Sequence, residues 1–280
     1  MFPVFRTDMA VEAFRHLGGE AAGMPGVTAR RESLFDQPLW AVEITGDEAA
    51  ARLGKPRGRY YTLLLSPSPG RAAPAFSALA AAVAALIRRC GVPQEGGVLV
   101  AALGNPDITP DALGPLCASS LLVTRHLKAS RDPIWDGFSA VSLLRCGVLG
   151  TVGLESALQI RAFCEAVKPS LVIAVDALAG AETDGLCRSI QICDSGICPG
   201  SGVHNDRVRI DRSALGVPVT AIGVPTVTDA CTREGGEGDL FVTPRNIDSA
   251  VRSCARVIAY GINLALHPGI TVEDVDALIG

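Results

Sequence analysis

Short apolar runs alternate with helical patterns along most of this chain, and this alternation is the feature that most constrains its fold. The runs at 98–103 and 171–175 are continuous, as expected of strands buried on both faces, and a helical pattern at 155–167 separates them. Strand-helix-strand order predicts an α/β fold in three layers, a largely parallel twisted sheet flanked by helices. Further core strands are predicted at 140–144, 190–193 and 219–224.

The domain organisation predicted from the sequence is simple. We expect one α/β domain over 9–280, preceded by a short segment, 1–8. Its N-terminal part, 9–93, contributes a strand-containing extension with strands at 40–45 and 60–65. The remainder, 94–280, forms the core sheet and a C-terminal helix from Pro244 to about Leu266.

Composition excludes several classes of partner. The 280 residues carry a net charge of −4, and their basic residues form no stripe that could follow a phosphate backbone, so no direct nucleic-acid binding is expected. The most apolar segment, 72–87, is shorter than the roughly 20 residues that span a bilayer. No signal peptide is evident, and nine cysteines form no Cys-x-x-Cys pair, so we expect a cytoplasmic protein with reduced thiols.

Two aspartates are the strongest candidates for chemistry. Asp111 follows the first core strand inside Thr109-Pro110-Asp111, which predicts a helix start with Thr109 as N-cap. Asp176 directly follows the run 171–175. If strand 98–103 lies between strands 140–144 and 171–175, both carboxyl groups face one crevice and share a proton, as acid/base hydrolysis requires. A helix-capping role for Asp111 and a structural role for Asp176 are the alternatives.

Six blocks of sequence stand out along the chain: Arg6–Ala13, Thr109–Pro115, Leu122–Leu127, Val175–Ala179, Pro199–Val203 and Ala221–Val227. Together they resemble the germination protease family of spore-forming bacteria, and the resemblance runs from residue 6 to about His267. It implies an atypical aspartic endopeptidase that initiates degradation of small acid-soluble spore proteins in the spore core, with no cofactor or metal. It also implies a homotetramer and a fold similar to that of the hydrogenase maturation endopeptidases.

Residue by residue, the two essential aspartates of that family fall on Asp111 and Asp176. The family is made as a zymogen that trims its own N-terminus, and the resemblance places that cut between Asp8 and Met9, which makes 1–8 a prosegment. An ordinary capped start to a helix at 8–17 is the alternative interpretation of this segment.

Other residues are weaker candidates for the cleft, and two features depart from the family. His204 replaces a glycine that is usual there, and the stretch between Val227 and Thr243 is short, which leaves substrate preference open. A metal-dependent maturation-type peptidase, a nucleotide-binding module using Leu103-Gly104-Asn105 and a non-catalytic binding relative remain alternatives. The possible cleft residues are Asn105, Asp107, His126, Ser201, His204 and Asp229.

Overall fold

The computed structural model describes residues 7–19, 23–65, 75–130, 132–200, 207–229 and 240–279. Within these ranges one continuous sheet carries helices on both faces, so the predicted three-layer α/β architecture is confirmed. Its strands are β1 (Val27–Leu34), β2 (Gln37–Ile44), β3 (Gly58–Leu64), β4 (Gly97–Ala102), β5 (Ala140–Arg145), β6 (Leu171–Ala179), β7 (Ser189–Cys193), β8 (Val219–Asp229) and β9 (Phe241–Val242).

The helices of the described residues differ widely in length. Single 3-10 turns occur at Thr109–Asp111, Pro133–Trp135 and Thr183–Gly185. The α-helices are α1 (Ala10–His16), α2 (Asp47–Leu53), α3 (Ala75–Gly91), α4 (Leu113–Ala118), α5 (Arg125–Lys128), α6 (Leu149–Val152), α7 (Ser156–Val167), α8 (Arg212–Leu215), α9 (Ile247–Leu266) and α10 (Val272–Ile279). None of them is long and apolar enough to cross a bilayer.

The parallel part of the sheet has the order β5-β4-β6-β8. The condition that strand 98–103 lies between 140–144 and 171–175 is therefore met. Because these strands are parallel, their carboxyl ends lie at one edge of the sheet, and that edge is where an α/β fold of this kind binds ligands.

The other half of the sheet is antiparallel, in the order β1-β2-β3-β7-β8. "Largely parallel" thus applies to four strands only, and the sheet as a whole is mixed. Strand β8 lies beside β6 and is parallel to it. On its other side β8 pairs with β7, the fourth core strand along the chain, which runs antiparallel to it. The N-terminal extension is continuous with the core sheet because β3 pairs with β7.

Burial on both faces explains why the core strands are apolar without interruption. In β4, Val98 and Val100 belong to a hydrophobic cluster with α3 and α9, whereas Leu99 and Ala101 belong to a second cluster with α1 and α7. Successive side chains of a strand point to opposite faces, so a strand between two helical layers needs an apolar residue at every position.

Some local predictions are corrected by the structure. The sequence does not predict the strand Val27–Leu34, nor the helix α2 between the predicted strands 40–45 and 60–65. The C-terminal helix begins at Ile247 rather than at Pro244, because the Thr243 hydroxyl donates to the Thr226 carbonyl at 2.9 Å instead of capping the helix.

Candidate active site

A cleft of about 570 Å³ lies at the carboxyl ends of the parallel strands. The structure brings Asp111 and Asp176, the two predicted site residues, together in its wall. Asp8 also lines it, although its sequence gave no reason to expect it beside the other two. Carboxyl groups in one cleft can carry out acid/base chemistry if their environments shift their pKa values apart, so that one group is protonated while another is ionised.

Asp111 is positioned by the sharp turn that follows β4. Gly104 has φ +113°, and a Cβ atom there would lie 2.0 Å from the Asp111 carbonyl oxygen, so glycine alone permits this approach. The turn directs the backbone N–H of Asn105 at the Asp111 carboxylate, which accepts its hydrogen bond at 2.8 Å.

The local structure at Asp111 differs from the predicted helix cap. Asp111 ends a 3-10 turn whose N-cap is Ile108, and the Thr109 hydroxyl donates to Asp248 at 3.0 Å. The ionised form of Asp111 is therefore favoured by the Asn105 N–H, rather than by the helix dipole expected from the sequence.

Asp176 lies inside β6, which continues for three more residues, rather than at the strand end that the sequence predicted. It is nonetheless the first residue of β6 beyond the pairing with β4, which stops at the pair Ala102 and Val175. Its side chain is 5% exposed and accepts a hydrogen bond from the backbone N–H of Ala177 at 3.0 Å. The shorter neighbouring strand thus opens a path from the cleft to a buried carboxyl group.

Burial raises the pKa of both carboxyl groups, and more strongly for Asp176. The pKa of Asp176 lies well above its usual value because of desolvation, with further contributions from the charges of Asp111 and Asp8. Desolvation also raises the pKa of Asp111, opposed by the Asn105 N–H and by the nearby Arg207 cation. The two groups therefore differ as an acid and a base should, with Asp176 the one that retains its proton.

The chain before α1 enters this cleft and is held there by several polar contacts. The Asp8 carboxylate accepts from the Ala179 N–H at 2.8 Å, and the Asp8 N–H donates to the Ala179 carbonyl at 2.8 Å. On the other side, the Gln191 side chain donates to the Asp8 carbonyl at 3.0 Å. Met9, directly after it, is 1% exposed. Asp8, on one side of the predicted cut, therefore lines the same cleft as both candidate aspartates.

The weaker candidates are dispersed. Asn105 acts through its backbone N–H on Asp111, and Asp107 is exposed next to it. His126 lies on α5, exposed, at a separate depression that contains Trp135, rather than in the apolar core setting its neighbours suggested. Asp229 is at the end of β8, paired with Phe241 of β9. Ser201 and His204 lie outside the described residues, whereas Pro199 and Gly200 just before them line the cleft.

Sequence reasoning missed two residues of this region, Gln191 and Arg207. Gln191 is a polar residue between the two isoleucines of β7, and this interruption of an apolar pattern was its only signal. Arg207 lines the cleft and also approaches Glu155 at 3.9 Å. Nothing in its local sequence distinguishes it from other arginines, because its position depends on the tertiary structure alone.

The described residues contain no group of three or more His, Cys, Asp and Glu side chains that could hold a metal ion. The metal-dependent alternative therefore has no ligand set among them. The cleft contains two carboxyl groups of unequal acidity, with the chain segment at Asp8 in its wall. Acid/base hydrolysis of a peptide bond requires such a pair.

Comparison with known proteins identifies the family of the chain. Residues 4–236 match the germination protease family. Germination proteases of Clostridium perfringens and Caldanaerobacter subterraneus subsp. tengcongensis are 34% and 36% identical to the chain, each over 98% of both sequences. That of Bacillus cereus is 39% identical over 97% of this chain and 96% of its own. The chain belongs to the germination protease family.

Proposed function

We propose that this protease is an aspartic-type endopeptidase in which Asp176 and Asp111 act as acid and base on an attacking water. One observation supports this most directly: both line the cleft that also holds the segment with the predicted cut. Asp111, hydrogen-bonded by the Asn105 N–H, takes a proton from water. Asp176, held neutral by burial and by its acidic neighbours, gives a proton to the peptide bond.

The proposed substrates are small acid-soluble spore proteins, cleaved inside the spore core during germination. Support comes from family membership, since the relatives carry the name germination protease. The alignment with the Clostridium perfringens protein spans 322 positions, more than the 280 residues of this chain, so that relative contains insertions. Preference among substrates is accordingly expected to differ, and a homotetramer is proposed as the assembly.

We also propose that residues 1–8 are a prosegment removed by the protease itself between Asp8 and Met9. Met9 begins a firmly packed region, because it is 1% exposed and Ala10 to Phe14 are buried with it. Cleavage before Met9 would leave this packing intact, while it frees Asp8 and Thr7 from the cleft.

Mass spectrometry of the purified protein at mildly acidic and neutral pH tests these proposals together. Loss of residues 1–8 is expected in the wild type and absent in Asp111→Asn and Asp176→Asn, and the same variants should not cleave an added small acid-soluble spore protein. Asp107→Asn, at an exposed carboxyl group just outside the cleft, is the matched control. Proteolysis that persists in either cleft variant would refute the aspartate mechanism, and a folded wild type that only binds the spore protein would favour the non-catalytic alternative.

A further inference from the structure

Gln191 occupies a position in the sheet that aligns it with Asp176, one of the two candidate aspartates. It is paired with Gly223 of β8, and Gly223 is paired in turn with Asp176 of β6. The three residues are therefore at one level across three adjacent strands, where paired residues point to the same face. Gln191 is 6% exposed, so its polar side chain must find partners inside the protein.

The partners of the Gln191 side chain lie on both sides of the Asp8–Met9 bond. Its Nε2 group donates to the Asp8 carbonyl oxygen at 3.0 Å, and its Oε1 atom accepts from the Ala10 N–H at 2.8 Å. A carbonyl can only accept and a backbone N–H can only donate, so these contacts fix the orientation of the amide. The carbonyl bound by Nε2 belongs to the bond that the proposed self-processing breaks.

We propose that Gln191 is the oxyanion-stabilising residue for cleavage of the Asp8–Met9 bond. The inference rests on the proposed self-processing and adds to it a third catalytic group. The Nε2 group lies 3.0 Å from the carbonyl oxygen on which the negative charge would develop, so a donor is already directed at that oxygen before water adds. The second contact, to Ala10, prevents the amide from rotating away as charge develops.

The step is a hydrolysis in which water is the co-reactant. Water adds to the Asp8 carbonyl carbon while Asp111 takes its proton, and the carbonyl electron pair moves to the oxygen that Nε2–H faces. The C–N bond then breaks as the Met9 nitrogen receives the proton of Asp176. This leaves the Asp8 carboxylic acid and the Met9 amine. The new carboxyl group then returns a proton to Asp176 and Asp111 gives its proton to the amine, so the products are the Asp8 carboxylate and the Met9 ammonium, and both aspartates and Gln191 are restored.

A further contact holds Thr7, the residue before Asp8, in place. The Lys55 ammonium donates to the Thr7 carbonyl at 2.8 Å, so the carbonyls of Thr7 and Asp8 each have a side-chain donor. The two donors differ in position, because only that of Gln191 faces the carbonyl of the predicted cut. Loss of Lys55 should therefore weaken binding of the segment, whereas loss of the Gln191 donor should slow the chemical step.

The test is the single-turnover rate of prosegment loss, followed by intact mass over a range of pH. Gln191→Glu keeps an acceptor for Ala10 and removes the donor, and Gln191→Leu removes both. We expect trimming to slow about 100-fold or more in each, as for loss of an oxyanion donor elsewhere. Gln191→Asn, which keeps an amide, should recover part of the rate. Gln159→Glu is the matched control, because the Gln159 amide donates only to the carbonyls of Gly147 and Leu154, outside the cleft.

The outcomes separate this inference from the function on which it rests. If the wild type trims and folded Gln191→Glu and Gln191→Leu trim within threefold of it, the role of Gln191 is refuted while the aspartate mechanism stands. If the wild type does not cut between Asp8 and Met9 at any pH, self-processing fails and the inference fails with it. Thermal unfolding of every variant identifies misfolding. If Gln191→Glu and Gln191→Leu both unfold the protein, a folded Gln191→Asn variant that trims at the full wild-type rate overturns the proposal.

Discussion

Asp8 and Ala179 form a reciprocal pair of hydrogen bonds, backbone N–H to carbonyl in one direction and backbone N–H to carboxylate in the other, each at 2.8 Å. The N-terminal segment is thus attached to the end of β6, three residues beyond Asp176. This attachment brings the Asp8 charge close enough to Asp176 to raise its pKa. Asp8, in the proposed prosegment, and the proposed acid Asp176 are therefore linked electrostatically.

Asp8→Asn tests this link. The amide oxygen can still accept from Ala179, but the charge is lost, so the pKa of Asp176 should fall. Because Asp176 must be protonated to act as the acid, the high-pH limb of the trimming rate should move to lower pH. The pH-rate profile of Asp8→Asn against wild type measures the shift. Asp107→Asn should leave the profile in place, and a limb that moves to higher pH would contradict the prediction.

Asp176→Asn should stabilise the protein at neutral pH while it abolishes trimming. Desolvation raises the pKa of Asp176 in the folded state, so ionisation costs more folded than unfolded. The contribution of Asp176 to stability is thus fully present below its unfolded pKa of about 3.8, and it is lost as pH rises from there through the folded-state pKa. Asparagine avoids this loss, so we expect a gain on the order of 1–3 kcal/mol at pH 7 that disappears near pH 4.

Denaturant unfolding of the two proteins at pH 4 and pH 7 measures that gain. Removal of one exposed carboxyl group by Asp107→Asn should change neither value by more than about 0.5 kcal/mol. Equal stabilities of the wild type and Asp176→Asn at both pH values would indicate that the buried carboxyl group ionises freely, contrary to its proposed role as the acid.

The parallel core could be predicted because its sequence signals are strong. Burial on both faces makes 98–103 and 171–175 continuously apolar, and a common strand order of parallel α/β sheets places them side by side, as the structure does. With that order, Asp111 and Asp176 were expected to face one crevice, and both line the cleft. Their roles in catalysis stay a prediction.

Other features depended on contacts between distant parts of the chain. The strand β1 is half-exposed and carries Arg30, Arg31 and Glu32, so it lacks the apolar periodicity of a core strand. The pairing of β3 with β7 joins segments about 130 residues apart, which no local pattern encodes. Gln191 is another such feature. Its proposed role depends on the hydrogen bond to the Asp8 carbonyl, which only the folded chain brings next to it.

Protonation of the buried His267 should lower the free energy of unfolding in mild acid. The side chain is 1% exposed, its ring lies 5.0 Å from that of Phe138, and burial lowers its pKa to about 4. A base whose folded-state pKa is lowered stabilises the protein above its unfolded pKa of 6.5, and this contribution is lost as pH falls toward 4. Between pH 7 and pH 5 the wild type should lose about 2 kcal/mol that His267→Leu does not lose.

Urea unfolding at both pH values measures that difference. His126→Leu removes a histidine from the exposed helix α5 and controls for any general effect of losing one imidazole. A wild type and a His267→Leu variant with parallel pH dependence would show that the buried ring is protonated as easily in the folded chain as in the unfolded one.

Gly104→Ala should disrupt the site more than the fold. A Cβ atom at position 104 would lie 2.0 Å from the Asp111 carbonyl oxygen and 3.3 Å from its carboxylate, so the turn that holds Asp111 must open. Strain at φ +113° adds to this cost. We expect a stability loss on the order of 2–3 kcal/mol, together with a fall in trimming rate of 100-fold or more, because a misplacement of about 1 Å has that effect on catalysis.

Gly153→Ala separates the two causes. Gly153 also has a positive φ, +75°, but a Cβ atom there meets nothing within 4 Å, so alanine at this position introduces backbone strain without a collision. We expect it to cost about 1 kcal/mol and to leave trimming within threefold of wild type. If Gly104→Ala has no larger effect on trimming than Gly153→Ala, then the close approach of Gly104 to Asp111 does not position the carboxylate for reaction, and the proposed base must be held by other contacts.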